Sequence, residues 1–189
     1  MGSRSHCWVA AVVALCLPAG CSRRSGQQGA TPVPEPKSGP NPAKPAPTEA
    51  RQTRIYLVDV EKDRLVPEQI DLPEGPLDKQ IETVVKALAE AEETASRVRC
   101  IPPGATLTKV SMTGDTAVLD FSEAFSEPSF WAGSETELLR VYALVDSVTE
   151  LKGVRRVRLL TEGQPIESLG GHVELTEPVT RDETLIAEQ

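Results

Sequence analysis

Carboxylates are the most abundant chemistry-bearing side chains in this sequence, with 28 Asp and Glu among 189 residues. Asp120 and Glu123 stand at the end of an alternating apolar run, where a sheet presents a strand end. Two carboxylates so placed could serve a glycan hydrolase, one as acid and the other as base or nucleophile. In so acidic a chain such a pair arises by abundance, and we read both as acidic surface. A zinc site needs several His or Cys ligands at close spacing. After residue 21 the chain holds only His172 and the distant Cys100, so neither a metal nor a cofactor is expected. A Ser-His-Asp triad would need only the one histidine, but no Gly-x-Ser-x-Gly elbow accompanies it. The glycine-rich phosphate loops are missing as well. His172 follows Gly170-Gly171 and reads as part of a tight turn. Cys100 reads as a small hydrophobe at the core edge.

What remains is recognition rather than catalysis. Arg155, Arg156 and Arg158 form a basic cluster, and strand alternation puts Arg156 and Arg158 on one face and Arg155 on the other. A solvated sheet face and a contact with anionic wall polymer or an acidic partner both fit it. Phe130 and Trp131 lie in a loop that either closes over the core or offers an apolar patch. These five residues are the expected interaction surface; no catalytic residue is expected, and the chain reads as non-enzymatic. The net charge of −8 sets it against phosphate backbones, so nucleic acid is excluded as a partner.

The elements that position these residues begin at Arg51. Upstream, Arg4 precedes an apolar run from Cys7 to Leu17, then Pro18-Ala19-Gly20-Cys21. A positive start, a short apolar core and a small-residue cut site describe an export signal. The run is shorter than the roughly 20 residues a membrane span needs. Ala-Gly-Cys resembles the lipobox of bacterial lipoproteins, with Pro18 where that family prefers Leu. The resemblance implies cleavage before Cys21 and acylation of its thiol, with palmitate-type chains holding the protein on the cell membrane. Ser22 after the cysteine is compatible with the outer membrane if the organism has one. Residues 22–50 hold seven of the sixteen prolines and almost nothing large and apolar, which predicts a disordered tether. From Arg51 onward, 15 basic and 26 acidic residues leave −11. With Cys7 and Cys16 in the signal and Cys21 acylated, Cys100 has no disulfide partner. The chain therefore divides into a signal peptide (1–20), a lipidated cysteine with a Pro-rich tether (21–50), and one domain (51–185).

Within that domain, Ile55 to Val60 is a short apolar run, the mark of a buried strand. Residues 64–72 add an irregular strand, which Pro67 confines to an edge. Gly75-Pro76 opens a helix whose Leu77, Ile81, Val84, Val85 and Leu88 recur at helical spacing and which fades near Ala95. Two alternating strands flank Gly114-Asp115, a two-residue hairpin turn. Ser134-x-x-Glu137 reads as a capping box before a second helix. Its stripe is Leu138, Tyr142, Val145 and Val148, and Gly153 ends it. Val154 to Thr161 is a strand, turned at Glu162-Gly163 into a short return. The order predicts an α/β fold: a single mixed or antiparallel sheet with two helices packed on one face.

The pieces Ile101-Pro102-Pro103-Gly104, Leu107 to Val110, and Ala117-Val118-Leu119-Asp120-Phe121-Ser122 with Phe125 resemble the GerMN domain family. So do Gly153-Val154, Val157-Arg158-Leu159, Gly163-Gln164-Pro165-Ile166, Leu169-Gly170-Gly171-His172 and the closing run Leu175 to Asp182. The resemblance implies an exported, membrane-anchored bacterial protein with a fold similar to ring-building modules of secretion-type assemblies. It supplies no catalytic residue. The expectation is an envelope lipoprotein whose domain is an interaction or assembly module, in sporulation, germination or cell-wall processes. Its partners would be an envelope protein, peptidoglycan or a second copy. A peptidoglycan hydrolase or glycan-binding domain using Asp120 or Glu123 is the alternative.

Overall fold

The computed structural model describes residues 51–188. The expected signal, Cys21 and the tether lie outside the described residues. No helix among those described is long and apolar enough to cross a membrane.

Strand β1 (Arg51–Asp59) turns through Val60–Asp63 into β2 (Arg64–Leu72), and the two pair antiparallel along their whole length. Ile55 to Asp59 are all buried, as a strand covered on both sides requires. β2 lies at the edge of its sheet, as Pro67 predicts. The Leu65 carbonyl accepts from Ala187, so it points away from β1. Pro67, two residues on, points the same way, and its missing N–H costs no bond to β1. Helix α1 (Leu77–Glu90) follows Pro76 and buries Ile81, Val84, Val85 and Leu88. It ends before Ala95, because the acidic run after Glu90 leads into β3 (Arg97–Val98), a two-residue strand against the end of β1.

β4 (Leu107–Thr113) and β5 (Thr116–Phe121) form the hairpin around Gly114-Asp115. A short 3₁₀ turn (Glu123–Ser126) and helix α2 (Ser134–Thr149) carry the chain to β6 (Arg156–Thr161), which pairs parallel to β5. A parallel pair needs a long crossover, and α2 is that crossover. β7 (Gln164–Pro165) returns antiparallel to β6 at one end, and β8 (Val179–Thr180) pairs with β6 at the other.

The class is mixed α/β with two helices. One detail departs from expectation: the strands form two sheets, β2-β1-β3 and a five-stranded sheet around β4-β5-β6-β7 with β8. The cause lies at the free edge of β1. The Tyr56 N–H donates to the Ser147 hydroxyl of α2 at 2.7 Å, and β3 takes Val58 and Asp59. These bonds occupy the buried part of that edge, from Tyr56 to Asp59. Both helices pack against strands of both sheets. The core runs between them, through Ile55, Leu57, Val84, Leu88, Leu119, Phe121, Val141, Leu144, Val157 and Leu159. On α2 the buried stripe is centred on Val141, Leu144, Val145 and Val148, with Leu138 and Tyr142 at its margin.

Candidate functional site

Alternation in β5 and β6 sends Ala117, Leu119, Phe121, Val157 and Leu159 into the core. The register then places Thr116, Val118 and Asp120 beside Arg156, Arg158 and Leu160 on the other face. β4 adds Ser111 and Lys109 opposite Val118 and Asp120. Val118, Arg158 and Leu160 are all partly exposed. This face is therefore an open sheet surface with an apolar centre and flanks of mixed charge, where Lys109, Arg156 and Arg158 stand among Asp115 and Asp120. Arg156 pairs with Asp115 at 2.7 Å, and Arg158 with Glu177 at 3.7 Å. Both pairs are solvent-exposed, so each contributes little stability, on the order of 0–1 kcal/mol. Arg155 precedes the strand and is exposed; its N–H donates to the Asp115 carbonyl at 2.8 Å.

The aromatic half of the expected surface is not one patch. Trp131 has no exposure at all. Its indole N–H donates to the Phe125 carbonyl at 2.6 Å, and its ring packs edge-on to Phe125, which stacks on Phe121 at 4.0 Å. It is a core residue, since burying the indole with its N–H satisfied gains more than leaving it in water. Phe130 is half-buried, edge-on to Trp131, with the Arg140 guanidinium 3.9 Å over its ring. Arg140 also donates to the Phe130 carbonyl. Phe130 thus belongs to the start of α2, and Arg156 and Arg158 to the open sheet face.

Of the two carboxylates of the alternative reading, that of Asp120 makes a structural contact and that of Glu123 is exposed. Asp120 Oδ1 accepts from the Gly163 N–H at 2.8 Å and so holds the turn between β6 and β7. That turn runs through Glu162 and Gly163, both at positive φ (50° and 75°). Glu123 is exposed, and its own N–H donates to the Glu162 carboxylate at 3.1 Å. Cys100 is buried, and burial pushes its thiol up to about 12. Such a thiol stays protonated and unreactive.

Two polar clusters, one buried and one partly buried, bring together residues far apart in the sequence. In the first, Glu137 is fully buried. Its Oε1 accepts from the Ser168 hydroxyl at 2.9 Å and from the N–H groups of Leu169 and Gly170 at 3.0 and 2.8 Å. Its Oε2 accepts from the His172 N–H at 2.8 Å. Burial alone would raise its pKa, but the donors of Gly170, His172, Ser168 and Leu169 outweigh it and hold the carboxyl below the ordinary range. This corrects the capping box: Gly133 is the N-cap, no side chain caps the helix, and Glu137 anchors the loop from Ser168 to His172. The glycines there do more than turn the chain. A Cβ on Gly170 would lie 2.3 Å from the Trp131 carbonyl oxygen and 2.9 Å from Glu137 Oε2. His172 itself is exposed.

In the second cluster, the Tyr56 hydroxyl donates to Glu150 at 2.6 Å and accepts from Arg181 at 2.6 Å. Arg181 pairs with Glu150 at 2.5 Å, and Arg54 pairs with it at 3.1 Å. Burial alone would raise the Glu150 pKa, but the Tyr56 hydroxyl and the two arginines lower it. Elsewhere, a groove of about 320 Å³ opens between α1 and the start of β4, lined by Val85, Ala89, Ile101, Leu107 and Phe121, with Glu82 and Lys86 beside them. Among the described residues, no group of three or more His, Cys, Asp or Glu side chains is arranged to hold a metal.

The comparisons with known proteins agree with this architecture. A family model described as Germane, sporulation and spore germination, matches residues 45–167, more than half of the chain. The chain belongs to this GerMN-domain family. Among solved structures, the first GerMN domain of the sporulation protein GerM from Bacillus subtilis is similar at a TM-score of 0.53 and 18% identity. That match covers 69% of this chain and 98% of the domain. The tandem GerMN domains of the same protein match at 0.52 and 18%, covering 69% of this chain and 46% of the tandem. A candidate lipoprotein from Clostridium perfringens matches at 0.51 and 14%, covering 69% of this chain and 87% of that one. At these identities the likeness is one of fold. No curated protein matches the chain. The Germane match ends at residue 167, just before the loop that Glu137 anchors.

Proposed function

We propose that this GerMN-domain protein is an exported lipoprotein, acylated at Cys21, whose domain is a non-catalytic interaction module of the cell envelope. The observation that carries the reading is the open face of the second sheet. Lys109, Arg156 and Arg158, with Asp115 and Asp120 among them, flank Val118 and Leu160 there, on a domain whose net charge is −11. A face with an apolar centre and a charged rim suits a protein partner, or an anionic wall polymer held by the arginines. Arg155, exposed just before β6, and the half-buried Phe130 offer separate contact points. The family's description, sporulation and spore germination, supports a role for such a module in one of those processes. The anchor reading rests on the Ala-Gly-Cys motif and the Pro-rich tether, with a candidate lipoprotein among the structural neighbours.

The test pairs fractionation with the face. Cys21→Ala should leave the chain unprocessed or release it from membranes. Arg156→Glu with Arg158→Glu should abolish capture of the envelope partner by crosslinking in cells while the protein remains folded and anchored. Unchanged processing and membrane partition of the Cys21 variant would reject the anchor. Soluble glycan fragments released from peptidoglycan by the purified chain, and lost in Asp120→Asn, would reject the non-catalytic reading.

A further inference from the structure

The chain beyond β8 crosses the molecule on few and specific attachments. Arg181 donates to the Asp146 carbonyl at 3.2 Å and reaches Tyr56 and Glu150 as described. The Asp182 N–H donates to Asp146 Oδ1 at 3.1 Å. The Asp182 carboxylate is itself occupied with the Thr184 N–H and hydroxyl, at 2.9 and 2.6 Å. Further on, the Ala187 N–H donates to the Leu65 carbonyl at 2.9 Å, and Ile186 bridges to Leu65 at the outer edge of β2. This strap ties β6 at one end, α2 in the middle and β2 at the other end.

Asp146 is its central fastening, and its surroundings do not suit a charge. The residue is fully buried, and its Oδ2 has no hydrogen-bond partner. Facing it are Tyr142 and Glu150 from α2 and Arg181 and Asp182 from the strap; Tyr56 from β1, Arg54 and Glu183 complete the surround through their contacts with Glu150 and Arg181. Arg181 is the nearby cation, and its side-chain ion pairs are with Glu150 and Glu183. An ionised Asp146 would be a buried charge with a single N–H donor, beside two other carboxylates. A buried charge so poorly compensated is costly. The neutral acid keeps the bond from Asp182 and removes that cost. In keeping with this, burial pushes the carboxyl up to about 7, with the Asp182 and Glu150 charges adding to it and the Asp182 N–H and Arg181 opposing.

We propose that Asp146 is a proton-controlled latch: its neutral form holds the strap of residues 179–187 closed over α2 and onto β2, and its ionisation loosens the strap and uncovers the β2 edge at Leu65. The direction follows from linkage. A carboxyl raised in the closed state supports closure fully below the ordinary carboxyl range, and that support is lost as the pH rises towards about 7. Above that it is constant. The inference stands independently of the anchor and of the open sheet face.

Hydrogen exchange on the full-length chain, corrected for intrinsic exchange, reads the latch at the Asp182 and Ala187 amides. Their protection should fall by up to about tenfold per pH unit between pH 4.5 and 6.5 and level off near 7.5. The Leu119 amide in β5 should not follow, and in Asp146→Asn the strap amides should show no such dependence. Carbon-detected titration of Asp146 in the unmodified chain gives a second reading that needs no variant, with a midpoint near 7 expected. Strap protection that is flat from pH 4.5 to 8, the same pH dependence in Asp146→Asn, or a midpoint below 5 would each overturn the proposal.

Discussion

Removing the Glu137 carboxylate should be among the most damaging single changes in the domain. Four donors converge on it: the Ser168 hydroxyl and the N–H groups of Leu169, Gly170 and His172, all within 3.0 Å. In Glu137→Ala each loses its acceptor, and the bond to Leu169 lies in the buried part of the loop. Hydrogen bonds to a charged group contribute about 1.5–3 kcal/mol each, and a stranded buried donor costs about 1–3 kcal/mol. Because the donors nearer the surface can turn to water, the sum settles at about 3–5 kcal/mol. That is a large share of the roughly 5–15 kcal/mol that holds a domain folded. Glu137→Gln keeps one acceptor oxygen but turns an amide N–H towards the His172 N–H, and should cost about half as much. Urea unfolding followed by Trp131 fluorescence measures both, since the Trp131 carbonyl abuts Gly170 in this loop. pH supplies a second check. The Glu137 pKa is lowered on folding, so its contribution is present above about 4.5 and is lost as the pH falls through the folded value. The gap between wild type and Glu137→Ala should therefore narrow in acid. A Glu137→Ala protein within about 1 kcal/mol of wild type at pH 7 would refute the reasoning.

Three further outcomes follow from the same geometry. Gly170→Ala places a Cβ against the Trp131 carbonyl and should cost about 2–4 kcal/mol by urea unfolding, whereas Gly171→Ala, which meets no atom within 4 Å, pays only for its positive φ. Trp131→Phe leaves the Phe125 carbonyl without its donor and removes the fluorophore; it should cost about 1–3 kcal/mol by urea unfolding followed by circular dichroism. Alkylation at pH 8, read by mass spectrometry of the Cys100 peptide, should be slow in the folded chain and rapid in urea, because burial holds that thiol up to about 12.

Where an element is local, the sequence announces it. The apolar run of β1, the helical spacing of α1, the Gly114-Asp115 hairpin and the Glu162-Gly163 turn all appear where their residues predict. Alternation puts Arg156 and Arg158 on one face of β6, whereas Arg155 lies just before the strand and is exposed rather than on its opposite, core-facing side. Long-range partnerships were not legible. Glu137 satisfies the capping-box spacing, and nothing local distinguishes that role from binding a loop 31–35 residues later. Tyr56 meets Arg181 across 125 residues, and Asp146 meets Asp182 across 36. Closure of the Phe130-Trp131 loop over the core is one of the two readings its residues allow, but only the folded loop puts the Trp131 N–H on the Phe125 carbonyl. β3 and β8 are two residues each, too short for any periodicity to show.

Photocrosslinking in living cells tests the central claim most directly, with a probe at Arg158 on the open face and another at Glu90, on the exposed side of α1. The account predicts a discrete envelope adduct from Arg158, none from Glu90, and loss of the Arg158 adduct when Cys21→Ala removes the anchor. Equal labelling from both positions, or an adduct that survives loss of the anchor, would contradict it.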